Sequence, residues 1–251
     1  MTTRPSNLLV GAMLAGAYVG LGIILIMTLG QDLPAEFRKL VMGASFGIAL
    51  TLVVFAGSEL FTGYTMYGTI ACLERQLPVS GMVKMCLWVW FGNLLGALVL
   101  GLIYKLADGG LIKNADTILH SIAYKKMNTD LLALFFRAIL CNWLVCLAIW
   151  ISARLSSEAA KCIVIFWCLL AFIASGYEHS IANMTVFSLA LLSPAVEGIS
   201  FAGAANNLFW VTLGNAAGGA LFVAFGYWYQ SNPITPNNTI VDQPNPEQTQ
   251  R

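Results

Sequence analysis

Charge is what this sequence has least of: 13 Lys and Arg with 12 Asp and Glu make 10% of 251 residues, where a soluble domain carries about 25%. That deficit excludes an ordinary water-soluble fold. A net charge of +1 with no basic run supplies no cationic face for a phosphate backbone, so nucleic acid is excluded as a partner. Histidine is rarer still, at two residues. The six cysteines (Cys72, Cys86, Cys141, Cys146, Cys162, Cys168) show neither CxxC nor Cys/His spacing, so no metal and no other cofactor is expected. They read as small buried hydrophobes. Also missing are the paired Asn-Pro-Ala caps of a water or glycerol facilitator, since Asn-Pro occurs only at Asn232 and Asn245. No glycine-flanked serine elbow appears, and neither Ser58 nor Ser180 pairs readily with His179 as nucleophile and base, the last two being adjacent in the chain. An intramembrane hydrolase, or any other enzyme, is therefore not indicated.

What is there is hydrophobic: 58% of residues, with a mean hydropathy of +0.76. Crossing the hydrocarbon takes about 20 apolar residues in a helix. The charges divide the chain into runs near 8–30, 40–73, 85–107, 131–153, 162–192 and 206–229. The first follows Arg4 directly, is too long for a signal peptide's apolar core and lacks a cleavage site, so it reads as a span. The expected fold is an all-α integral membrane protein of six spans, one channel domain over 1–230. A Pro/Asn/Gln-rich tail, 231–251, is expected to be disordered. Lys and Arg divide evenly between the two sides and set no orientation, but an even number of spans leaves both termini on one side.

The chain repeats itself. Trp88-Val89-x-x-Gly92-Asn93-x-x-Gly96 in the third run returns as Trp210-Val211-x-x-Gly214-Asn215-x-x-Gly218 in the sixth, and Gly57-Ser58-Glu59 in the second is answered by Gly176-Tyr177-Glu178 in the fifth. Two halves of three spans, about 8–107 and 131–229, must enter the membrane from opposite sides, which makes an inverted repeat of the kind that builds transport pathways. The second and fifth runs are overlong, and each carries a polar, glycine-containing interruption that predicts a broken helix. Such backbone survives at membrane depth only where it is buried in protein or lines a cavity, and half-helix N-termini there favour anions.

Glu59, Arg137, Glu178 and His179 are the ionisable residues the pattern places within spans, at a cost of at least about 2.5 kcal/mol each near the bilayer centre. The glutamates are expected to be structural, accepting hydrogen bonds from free N–H groups at the breaks. His179 carries imidazole, the side chain whose unperturbed pKa lies near physiological pH and which can both donate to an anion and pass it a proton, and it is the expected functional residue. His120 falls in the polar connection and reads as a surface residue. Arg137, at the aqueous end of the fourth span, either snorkels to headgroups or draws anions into a vestibule. Phe46, Leu50 and Phe172 read, on composition alone, as core or lipid-facing.

Gly57-Ser58-Glu59-Leu60-Phe61-Thr62 and Gly176-Tyr177-Glu178-His179-Ser180-Ile181-Ala182-Asn183-Met184 resemble the signatures of the formate/nitrite transporters, with a match over nearly all of residues 10 to 229. Cys141–Trp150 and Thr185 look closest to the nitrite channels of that family. The resemblance implies a homopentamer of aquaporin-like protomers in a bacterial inner membrane, both termini cytoplasmic, each protomer with its own pore for a small monovalent anion such as nitrite or formate. It implies that Leu60, Phe61 and Thr62 form a loop at the pore, that His179 is the central histidine with Asn183 one turn on, and that Leu50 and Phe61 form the cytoplasmic constriction, Phe46 and Phe172 the periplasmic one. Two departures stand out: arginine at 137, where lysine is usual, and a nearly absent amphipathic segment before the first span. The mechanism expected is that His179, Thr62 and Asn183 hydrogen-bond the anion, and that proton sharing lets it cross as the neutral acid. Hydrosulfide remains an alternative cargo.

Overall fold

In the computed structural model, which describes residues 5–231, every regular element among the described residues is helical. α1 (Pro5–Gln31) makes the first crossing. α2 (Ala35–Ser45) and α3 (Gly47–Phe55) join at Phe46 into one 21-residue apolar rod, followed by the short α4 (Phe61–Leu73). α5 (Val79–Leu106) crosses back, α6 (Ile118–Met127) lies in the connection, and α7 (Leu131–Ser152) begins the second half. α8 (Glu158–Ala174) and α9 (Ser180–Leu192) share the fifth crossing. α10 (Phe201–Ala217) continues through a π-helical stretch, Gly218–Phe225, into α11 (Gly226–Ser231). Five of the six expected runs hold a helix long and apolar enough to cross a membrane, with ends displaced by a few residues; the remaining one, the fifth, is divided between α8 and α9, of 17 and 13 residues. The expected tail lies outside the described residues, apart from Ser231 at the end of α11.

Local chemistry sets the boundaries. Asp130, Ser157 and Ser200 each accept a hydrogen bond from the N–H three residues on and so cap α7, α8 and α10. α3 and α8 each stop just before a glycine in the left-handed region, Gly57 at φ +66° and Gly176 at φ +72°, where a helix ends cheaply only with glycine. After each stop comes a short non-helical stretch and then a 13-residue helix, α4 or α9. At 1.5 Å per residue such a helix covers only about two thirds of the hydrocarbon.

The repeated glycines hold the frame. A Cβ on Gly96 would overlap the carbonyl of Met13 in α1, and one on Gly218 would overlap that of Ile139 in α7. Backbones thus touch at equivalent places in the two halves, as small residues permit in membranes, where lipid gives no hydrophobic force between helices. Large apolar side chains such as Leu87, Trp167 and Phe209 point outward, as suits a surface in contact with acyl chains. Each end of the molecule can be named by the chain: the near side carries Pro5 and Ser231, and the far side the α1–α2, α5–α7 and α9–α10 connections.

Candidate functional site

The interruptions are built around two asparagines. Asn93 Oδ1 accepts from the N–H of Phe61, the first residue of α4, at 2.9 Å, while its Nδ2 donates to Glu59 O at 2.9 Å and Ala12 O at 2.7 Å. Asn215 repeats the arrangement in the other half: Oδ1 accepts from Ser180 N at 2.8 Å, and Nδ2 donates to Glu178 O at 2.9 Å and Ala138 O at 2.8 Å. Each amide satisfies main-chain groups that a broken helix leaves unpaired at membrane depth. These residues were part of the repeat read from the sequence, but their task was assigned there to Glu59 and Glu178. The glutamate main chains take part; their carboxylates do not cap the breaks.

Held in this way, the N-termini of α4 and α9 meet at the centre, where Thr62 Oγ1 lies 3.3 Å from His179 Nε2. His179 Nδ1 accepts from the N–H of Ala182 at 3.1 Å. A ring nitrogen that accepts carries no proton, so the imidazole is the neutral tautomer with its hydrogen on Nε2, directed at Thr62. Both residues are buried.

Beside them lies a void of about 10 Å³ lined by Phe46, Leu50, Leu60, Leu169, Phe172 and neighbouring apolar residues, with His179 the one polar group on its wall. That is about the space of a single water. Phe46 and Phe172 meet edge to face at 5.5 Å between centroids, and Phe172 stacks on His179 at 6.0 Å. Leu60, not Phe61, faces Leu50 across this void. The Phe61 ring lines a separate apolar groove between α5, α9 and α10.

A wider cavity opens on either side. On the far side, about 370 Å³ reaches down to Phe172, His179 and Asn183 and is bordered by Arg38, Lys39, Lys125, Lys126 and Arg137, with Glu178 the one carboxylate among its lining residues. On the near side, about 430 Å³ is bordered by Ser58, Glu59, Leu60, Tyr64, Tyr67 and Lys161. Arg137 thus borders a vestibule, one of its two open readings.

Lys126 was missed in the sequence because it lies in the charged connection, where nothing marks a lysine as inward-facing. Its Nζ pairs with Glu178 Oε2 at 2.8 Å, with side chains 18% and 5% exposed. Glu178 Oε2 also accepts from Asn183 Nδ2 at 2.7 Å; that amide nitrogen donates again to Asn207 Oδ1 at 2.9 Å, and Asn207 Nδ2 to Lys126 O at 2.8 Å. Both amide hydrogens of Asn183 are thereby committed, which leaves it none to donate to an anion.

His120 is no surface residue. It is 3% exposed, with Nδ1 2.8 Å from Thr117 Oγ1 and Nε2 2.6 Å from Ser193 Oγ. It ties the far-side connection to the end of α9.

Broken helices that meet end to end, a single-file apolar neck and a vestibule at each mouth define a multi-pass membrane channel. The chain belongs to the formate/nitrite transporter family, whose sequence model matches residues 1–229. It is 49% identical over 246 residues to the nitrite transporter NirC of Escherichia coli, covering 98% of this chain and 91% of that one, and 31% identical over 250 residues to the formate channel FocA of the same organism, covering 90% and 87%. Among solved structures, an FNT family ion channel superposes with a TM-score of 0.89 at 49% identity, covering 91% of this chain and 92% of that one. A pentameric formate channel with formate bound superposes with a TM-score of 0.78 at 29% identity, covering 90% and 97%. These relatives are transporters and channels, not enzymes.

Proposed function

We propose that the protein is a nitrite channel of a bacterial inner membrane, a homopentamer with cytoplasmic termini, each protomer folding residues 1–230 into one channel domain whose cargo crosses the neck as the neutral acid. The nitrite assignment is supported by the 49% identity to NirC over nearly the whole chain, and the pentamer by the likeness to the pentameric formate channel. With cytoplasmic termini, the far side is periplasmic.

The observation that carries the mechanism is the neck. A void of about 10 Å³ walled by Phe46, Leu50, Leu60 and Phe172 offers an ion no replacement for its hydration, and an unpaired ion in such surroundings is strongly disfavoured. A small neutral acid has no such barrier. Anions gather in the far-side vestibule, around Arg137, Lys125 and Lys126, and each enters the neck with a proton. Neutral His179 meets it as an Nε2–H donor beside Thr62 and so does not trap it as a fixed cation would. For the ring to carry a proton it must let go of the Ala182 N–H, which makes any protonation transient. Transport is proton-linked, and nitrate, the anion of a strong acid, is retarded. Formate or hydrosulfide, also conjugate bases of weak acids, would satisfy the same neck.

The test is uptake of nitrite, formate and nitrate into proteoliposomes holding a pH dye, for the native protein and His179→Asn. Nitrite flux with a matching proton signal, both lost in the variant, supports the reading. Nitrite flux without protons removes the neutral-acid mechanism, and formate flux without nitrite flux removes the substrate.

A further inference from the structure

We propose that the near-side end of the seam between α7 and the α10–α11 helix is a binding site for one anionic phospholipid, its phosphate held by Arg154 and an acyl chain laid along the aromatic pairs below. The site is independent of the cargo and of how the cargo crosses the neck. Only its leaflet, the cytoplasmic one, rests on the orientation given above.

The headgroup end is a pocket of about 560 Å³ bordered by Trp150, Ile151, Arg154, Tyr227, Gln230 and Ser231. Both of its walls are held in place. Tyr227 stacks on Trp150 at 4.9 Å between ring centroids. The next residue of α11, Trp228, donates its Nε1 hydrogen to Glu74 Oε1 at 2.5 Å, which ties α11 to the end of α4. Arg154, just past the end of α7, lies over the Trp150 ring with its Cζ 4.6 Å from the centroid. Stacking of this kind uses the face of a guanidinium and leaves the N–H donors at its edge for another partner. Among the described residues the ion pairs take Lys113, Lys126 and Lys161 and not Arg154, and no carboxylate borders the pocket. A fixed cation at the membrane surface with no anion beside it fits a ligand that brings a phosphate. A zwitterionic headgroup would find no acid there for its ammonium.

Below the pocket the same seam continues as an apolar track. Trp143, two turns back along α7 and so about 10 Å deeper in the membrane, stacks on Phe222 at 4.5 Å, and the two are 37% and 42% exposed. Phe222 and Tyr227 are five residues apart, a spacing that on an α-helix sets side chains about 140° apart. The π-helical stretch Gly218–Phe225, with its i→i+5 bonding, brings both against α7. The irregular turn thus aligns the two aromatic pairs one above the other. A cation and amphipathic rings at the interface, with ring faces running inward beneath them, repeat the order of parts in a phospholipid, headgroup at the surface and acyl chain within.

The experiment titrates delipidated protein in detergent with dioleoyl phosphatidylglycerol or dioleoyl phosphatidylcholine, for the native protein, Arg154→Gln and Arg154→Lys, and reads bound lipid and assembly mass by native mass spectrometry. Arg154 is exposed and lies outside the pore, so both variants are expected to fold. The expected result is that the native protein binds phosphatidylglycerol more tightly than phosphatidylcholine. Arg154→Gln should weaken the tightest phosphatidylglycerol site about tenfold, the loss of one hydrogen bond between charged groups, and leave phosphatidylcholine unchanged. Arg154→Lys, which keeps the charge but not the planar stack, should fall between. Equal binding of the two lipids to the native protein, or phosphatidylglycerol binding unaltered in Arg154→Gln, overturns the site. An assembly mass that falls in Arg154→Gln before lipid is added also overturns it, because a neighbouring copy would then be what Arg154 holds. So does tighter phosphatidylglycerol binding by a chain ending at Ser231 than by the full chain, because residues 232–251 would then be the occupant.

Discussion

Asn93 and Asn215 make the same three hydrogen bonds 122 residues apart, so truncating either should cost the same. Asn215→Ala removes the bonds to Ser180 N, Ala138 O and Glu178 O; Asn93→Ala removes those to Phe61 N, Ala12 O and Glu59 O. Side-chain hydrogen bonds within membranes average about 0.6 kcal/mol, and a typical intramolecular hydrogen bond contributes up to about 1.5 kcal/mol net. Three of them give about 2–4.5 kcal/mol per site. At roughly 2–4 °C per kcal/mol for a chain of this size, each variant should melt roughly 4–18 °C lower in detergent, and the double variant should show the sum, because the two sets share no partner. The assay is thermal unfolding of purified native, single and double variants, with nitrite flux measured in parallel. Flux should fall furthest for Asn215→Ala, which frees the segment carrying His179. The reasoning is refuted if one asparagine is dispensable and the other is not, since nothing in their hydrogen bonds distinguishes them.

Removing one partner of the Lys126–Glu178 pair leaves a nearly buried charge uncompensated, so Lys126→Met and Glu178→Gln should each destabilise by about 3–5 kcal/mol and the double variant by less than the sum, as a thermal-shift double-mutant cycle would show. Burial holds the His120 pKa below its usual value, with Asp116 opposing; the unfolded chain then binds the proton more readily, so the contribution of His120 is full above about pH 6.5 and declines as pH falls below it. His120→Asn should flatten the melting temperature of the protein between pH 7.5 and 5, and an unchanged slope would show that the ring does not titrate with unfolding. With five cations around the far-side cavity and a single carboxylate, against Glu59 and Lys161 on the near side, nitrite entry from the far side of uniformly oriented vesicles should fall more steeply with ionic strength than entry from the near side. Equal salt dependence would remove the vestibule's role in capture.

The six crossings and their breaks were legible because membrane depth imposes rules that act on short stretches of sequence: an apolar run near 20 residues, and polar glycine-bearing segments only where protein encloses them. The repeat was legible because Asn93 and Asn215 have the same work to do and so sit in the same nine-residue frame. What was not legible depends on tertiary partners. Glu178 looked like a cap because a carboxylate near free N–H groups ordinarily is one, but the asparagine from a helix far along the chain occupies that place. His120 read as a surface residue because its neighbours in sequence are polar, and nothing marked Lys126 as inward-facing; only their partners at the two ends of α9, Ser193 and Glu178, turn them inward. The resemblance to the family placed Phe61 at the neck, one residue beyond Leu60, and in a non-helical stretch a single residue decides which way a side chain points.

The repeat also shows where the two halves stop being equivalent. Counted from the paired glutamates, Leu60 answers to His179, Phe61 to Ser180, Thr62 to Ile181 and Tyr64 to Asn183. The frame is common to both halves: a glycine at positive φ, an asparagine on the first N–H of the half-helix, backbones in contact through the repeated glycines. The chemistry is not. At the neck one half offers leucine and the other histidine, and behind them one offers Tyr64 beside Glu59, the other Glu178, Asn183 and Asn207, linked to Lys126 of the connection. A symmetric frame alone would present the same barrier and the same wells from both directions. On the proposed neutral-acid mechanism, the linked Lys126, Glu178, Asn183 and Asn207, which lie toward the far-side cavity, put the recognition step on the far side of the neck, so an acid arriving there is bound before it crosses and one arriving from the near side only after. At equilibrium this favours neither direction, but it sets which side saturates first: half-maximal flux should need less nitrite on the far side than on the near side, and exchanging the Leu60 and His179 side chains should reverse that order.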